Sequence, residues 1–247
     1  MGLGKKSDSN QIYLGVVEGN FVKNKVSADH PDAVAVYDED KQLKYHRLEY
    51  DSLSGQIVKM EVDNSSDFAK KYGDLFKIQV EDTDSPTMEV SFKLFSGRFL
   101  DLANRMCNPE VDLSKEVILN PWYMVTEDGK KRSGISIKDI LWNDNSWPKK
   151  AYLKDHPGMP EFDWVMVKGK KEADTTKLTL WLIEQLANKA KQSMIQMELP
   201  SFYAPNGWVN ASSNEASKEN ASRQDASSAA PEDVSLDTGD EDDDLPF

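Results

Sequence analysis

Cations and aromatic rings interleave along this chain. Lys44, Tyr45 and Arg47 lie together, and Trp122 and Tyr123 precede the run Lys130, Lys131 and Arg132. Trp142, Trp147 and Tyr152 surround Lys149 and Lys150. Lys59, Lys77 and Lys93 recur inside segments of alternating polarity. Such a set suits non-covalent recognition of unpaired nucleic acid. Ammonium and guanidinium groups follow the phosphates, and flat rings stack on bases at about 1–3 kcal/mol each. Aromatic rings also fill cores, so part of the set is expected to be structural, and Trp164 and Trp181 are assigned to packing. Signatures of covalent chemistry are missing. There is no Walker-type glycine loop and no nucleophile elbow, and His30, His46 and His156 lack metal-ligand spacing. The single Cys107 excludes a disulfide framework and a multi-cysteine zinc site, and is expected in the core. The densest acids lie in a carboxyl-terminal segment expected to be flexible, which cannot hold two metals at fixed separation. The expectation is therefore a binding protein, not an enzyme, with no cofactor and no metal.

The formal charge of −13 argues against a polyanion partner until it is divided along the chain. Residues 210–247 hold eleven acids and two bases, a net of −9, while residues 1–209 hold 28 bases against 32 acids. A nearly balanced body is compatible with a basic groove. The same 38 residues carry only Val234, Leu236, Leu245 and Phe247 as large apolar side chains, so this segment is expected to stay disordered. It finishes Asp242, Asp243, Asp244, Leu245, Pro246, Phe247. An apolar ring behind a run of acids suits capture by a partner: the ring fills a pocket, the acids steer along a basic rim, and Pro246 stiffens the approach. No segment reads as a signal peptide or a membrane span, so the expected compartment is the cytoplasm and no membrane is expected as partner.

The elements that must position these residues are mostly strands. Ile12 to Val17 and Ala33 to Tyr37 are apolar enough for strands, after a polar, frayed stretch over 1–11. A long β passage covers Leu43 to Val62; in it Val58, Met60 and Val62 are expected to face one way and Ile57, Lys59 and Glu61 the other. Gly55 marks a bend. Leu75 to Glu81 and Met88 to Leu94 alternate cleanly and form a hairpin across Asp82 to Pro86, with Lys77 and Lys93 outward. Ser96 caps a helix with Phe99, Leu102, Ala103 and Met106 on one stripe. Val117 to Val125 and Gly134 to Ile140 make a second hairpin across Asp128-Gly129. Residues 143–173 read as irregular. A helix from about Thr175 to Met197 aligns Leu178, Trp181, Leu182, Leu186, Ala190 and Met194, either against the body or for self-association. The fold class expected is mainly β with helical additions. The order of strands around one helix fits a five-stranded OB barrel over residues 12–209, though another small barrel would use the same elements.

The ending Asp242 to Phe247 resembles the tail of bacterial single-stranded DNA-binding proteins, which finish in acids followed by Ile-Pro-Phe, with Leu245 here in place of the isoleucine. The body is longer than in that family. The whole is more similar to bacteriophage single-stranded DNA-binding proteins, to whose late hairpin Leu119–Tyr123 and Ser133–Ile137 also bear a looser likeness. The resemblance implies sequence-independent coating of single-stranded DNA during replication, recombination and repair. It also implies recruitment of helicase, primase, polymerase or nuclease partners through the tail, and a host cytoplasm if the chain is phage-encoded. The readings that compete are a β-rich interaction scaffold without DNA affinity and a DNA mimic that occupies basic sites.

Overall fold

A computed structural model describes residues 11–82, 86–142, 146–153, 156–161, 163–167 and 170–205. Of the frayed amino terminus expected over 1–11, residues 1–10 lie outside the described residues, as does the acidic segment with Asp242 to Phe247. Gln11 is described and donates a hydrogen bond to Glu89. The chain begins with β1 (Ile12–Val17) and β2 (Asn20–Asn24), joined by a tight turn at Glu18 and Gly19, both at positive φ. Then come β3 (Val34–Tyr37), β4 (Leu43–Tyr50) and β5 (Leu53–Asp63), so the long β passage is two strands separated at Asp51 and Ser52. A short helix α1 (Asp67–Tyr72) leads to β6 (Leu75–Glu81), β7 (Met88–Lys93) and α2 (Gly97–Met106). After β8 (Glu116–Val125) and β9 (Lys131–Asp139) the chain forms β10 (Asp163–Val167), β11 (Lys170–Asp174), α3 (Thr176–Gln192) and β12 (Gln196–Glu198).

Ten strands make one mixed sheet that curls into a half-barrel, ordered β3-β4-β2-β1-β7-β6-β5-β8-β9 with β12 added to β5. β5 organises it. One edge of β5 pairs with β6 from Gln56 to Asp63; the other is shared between β8, at Leu53 to Gln56, and β12, at Lys59 to Glu61. Gly55 lets β6 approach β5 closely. Its φ is +147°, and a Cβ there would stand 2.5 Å from the Glu81 carbonyl oxygen. A bulge between Ile57 and Lys59 follows. It inserts one residue, so Ile57 and Met60 both point into the core, and the simple alternation expected for this strand fails at Val58. On β6, in contrast, Phe76, Ile78 and Val80 are all buried as their spacing demands.

The core lies between the curled sheet and the two long helices. Phe76 meets Phe99 of α2 edge-on at 5.0 Å between ring centres and Phe92 at 5.8 Å. Leu178, Leu182, Ile183, Leu186, Ala187 and Ala190 of α3 seal the same core. α3 ends at Gln192, short of the Met197 expected, because Met194 adopts φ +57° and turns the chain back into β12. Met194, expected on the packed stripe, is instead 90% exposed. The stretch expected to be irregular over 143–173 contains β10 and the first residues of β11, a hairpin forming a separate two-stranded sheet. No helix among the described residues is long and apolar enough to cross a membrane.

Candidate nucleic-acid interface

Asp101 sits on α2 where the helix crosses the β8–β9 hairpin, with its side chain fully buried. Ser96 fixes the start of the helix by accepting a hydrogen bond from the Phe99 amide, which sets the phase that turns Asp101 toward the sheet. Three donors converge on this carboxylate. The Trp122 indole N–H donates to Oδ2 at 3.1 Å, Arg105 Nε lies 3.2 Å from each oxygen, and Lys150 Nζ lies 3.4 Å from Oδ1. This one carboxylate thus holds two cations and one ring. It also locks the half-buried indole in one orientation, so ordering it on binding costs little.

Glycine makes room for that ring. Gly134 is the cross-strand partner of Trp122, and a Cβ at Gly134 would lie 2.4 Å from Asp101 Oδ2 and 2.5 Å from the Trp122 ring. The polar side of α2 then fastens the following segment. Asn104 donates to the Tyr152 carbonyl and accepts from its amide at 2.9 and 2.8 Å. Asn108 donates to the Lys149 carbonyl at 2.8 Å, and Arg105 Nη1 to that of Pro148 at 2.7 Å. Beside it the Lys138 ammonium stands 4.8 Å from the centre of the Trp147 ring. The structure thus gathers Trp122, Trp147 and Lys150 with three residues the sequence reading missed: Asp101, Arg105 and Lys138. Lys149 is exposed on the same segment. An acid and a base four apart on a helix, Asp101 and Arg105, are a recognisable signal in the sequence; that Trp122 shares their carboxylate is not.

The remaining expected residues fall elsewhere. Tyr123 lies over the β1–β2 turn, 3.3 Å from where a Gly19 Cβ would be. At the β8–β9 tip Lys131 is exposed, Lys130 lies 3.8 Å from Asp128, and the buried Nε of Arg132 has no hydrogen-bond partner among the described residues. Trp142 donates its indole N–H to the Ser146 carbonyl at 3.0 Å. Tyr152 packs its ring on Trp181 and His156 at 4.6 and 4.7 Å, in a structural role. On β4, Lys44 is exposed and Tyr45 half-buried, while Arg47 is bonded to Glu49 at 2.7 Å.

The outward face of β5–β6–β7 differs from expectation most. Lys59 bridges Glu61 and Glu198 at 2.9 and 2.8 Å, and Lys77 is held by buried Asp63 at 2.6 Å. Gln79 and Gln11 both donate to Glu89. Burial pushes the Asp63 carboxyl up, but hydrogen bonds from Lys77, Ser66 and the Ser65 amide outweigh this and hold it well below the usual carboxylate range. Lys59 is neutralised by Glu61 of its own strand and Glu198 of β12, and Lys77 by Asp63 of β5; of these three lysines, Lys93, at the end of β7, is exposed. Cys107 is buried, and burial pushes its thiol up to about 12, against a small opposing pull from Lys189. Trp164, assigned to packing, is 59% exposed.

No known family model, curated protein or solved structure matches this chain.

Proposed function

We propose that this protein binds single-stranded DNA without sequence preference, coating it during replication, recombination and repair. The observation that carries the reading is Trp122, a half-buried ring pinned through its indole N–H to a carboxylate that also holds Arg105 and Lys150. Preset aromatic faces beside cations are what base stacking and phosphate tracking require. The strand order gives further support. β5 pairs with β6 and β8, β6 with β7, β8 with β9, and α2 joins β7 to β8, which fits an OB-type arrangement left open where β1 takes the edge of β7. Trp122, Trp147, Lys138, Lys149 and Lys150 would form the main contact, with Lys131 and Arg132 at its rim. Asp242 to Phe247 would recruit replication and repair proteins, leaving this contact free.

A protein-interaction scaffold is the second reading, favoured by the neutralised ion pairs of Lys59 and Lys77 on the β5–β6–β7 face. One titration separates the two. Labelled oligo-dT added to the full chain should bind, and log Kd should rise linearly with log salt as phosphate counterions are released. Absence of affinity at low salt, or affinity indifferent to salt, sinks the DNA reading.

A further inference from the structure

The β10–β11 hairpin stands apart from the half-barrel as its own sheet. Register places Trp164 opposite Ala173 and Met166 opposite Lys171, so these four side chains share one face. That face is open: Trp164 is 59% and Met166 69% exposed. Ala173 is too small to cover the indole, and the Lys171 ammonium lies 4.8 Å from the centre of its ring. An isolated two-stranded hairpin is marginal in water, and one presenting a bare tryptophan and methionine gains nothing from folding alone. Its base is nevertheless fixed. Lys177 of α3 bonds Asp163 at 2.6 Å, and Asp174 accepts from the Thr176 amide at 2.9 Å, tying both strands to the helix.

We infer that this hairpin is a second single-stranded DNA contact, in which Trp164 stacks on a base while Lys171 meets the adjoining phosphate. The inference rests on the proposed function. Charge favours a polyanion at the tip: the three lysines of the hairpin fall within Trp164 to Lys171, while its acids lie toward the base. There Asp163 is bonded to Lys177, Asp174 accepts from the Thr176 amide and Glu172 is the register partner of Val165. A ring flanked by a cation is the same pairing found at Trp147 and Lys138.

The test is fluorescence anisotropy of labelled oligo-dT with full-length wild type, Trp164→Ala, Trp164→Phe and Lys171→Ala. Trp164→Ala should weaken binding about tenfold or more, the loss of one stacked base. Trp164→Phe should retain most affinity, and Lys171→Ala should reduce the salt slope by about one. Circular dichroism and an unchanged urea midpoint show that Trp164→Ala is folded; if it is not, the Trp164→Phe and Lys171→Ala pair decides. Wild type that binds while Trp164→Ala binds within twofold overturns the inference and leaves the proposed function standing. If Trp164→Ala instead abolishes self-association in sedimentation with DNA binding intact, the hairpin is a protein surface and the inference fails. Wild type without affinity overturns both.

Discussion

Gly134 controls the residue on which the proposed interface turns. Adding one methyl there brings it to 2.4 Å from Asp101 Oδ2 and 2.5 Å from the Trp122 ring, two groups held to each other by a hydrogen bond. Neither yields without breaking that bond, so Gly134→Ala should cost about 1–3 kcal/mol, the usual range for overpacking. It should also shift tryptophan emission and weaken oligo-dT binding; urea unfolding read by fluorescence checks all three, and an unchanged emission maximum counts against a fixed indole. At this scale the sequence was only partly legible. Residue types singled out Trp122, Trp147 and Lys150 because cations and rings recur together. Lys59 and Lys77 had the same appearance, but Lys59 meets Glu61 on its own strand and Glu198 on β12, and Lys77 meets Asp63, brought in by strand pairing. Which cation meets a distant acid is decided by tertiary contacts, and local spacing reports only pairs such as Lys59 with Glu61. Trp164 was misassigned because a large aromatic is usually core, whereas on its hairpin the ring is 59% exposed with Lys171 over it.

Strand pairing explains what each element conceals or reveals. β6, β7 and β8 have one face on the core and one outside, which writes an alternating pattern. β9, in contrast, is buried on both faces from Ser133 to Ile137, and its hairpin was legible from the Asp128-Gly129 turn. The expected alternation of β5 holds beyond its bulge, where Met60 and Val62 are buried, and fails at Ile57 and Val58, while β12 was invisible because three residues carry no period. The pin between β5 and β6, Lys77 to Asp63, has a pH signature. The Asp63 carboxyl lies below its ordinary value in the folded chain, so its stabilising effect is complete above about pH 4 and is lost as pH falls further. Lys77→Met should lower stability at pH 7 by about 2 kcal/mol, between the values for exposed and fully buried pairs. It should also flatten the acid limb of the stability curve; unfolding midpoints from pH 7 to 2.5 measure this, and an acid limb as steep as wild type would refute the pin.

Seen whole, the molecule is electrically divided, with −9 on residues 210–247 and −4 on the rest. A tethered polyanion competes with DNA at high local concentration. Deleting residues 210–247 should therefore tighten oligo-dT binding several-fold at low salt, an effect that fades as salt screens it; weaker binding in the truncation would contradict the competition. The two parallel pairings of the half-barrel bear on how such a molecule comes into being. β1 leaves the ribosome well before its partner on β7, reached only at Met88, and the segment that completes the edge of β5 is Gln196 to Glu198. Until those arrive, a nascent chain holds the β1–β2 hairpin with one edge unpaired and β5 with half an edge bare. Closing such long loops before any contact rewards them slows folding, and open edges invite pairing with other chains. The same late strands that shape the half-barrel thus set the interval during synthesis in which this chain is most exposed to misassembly.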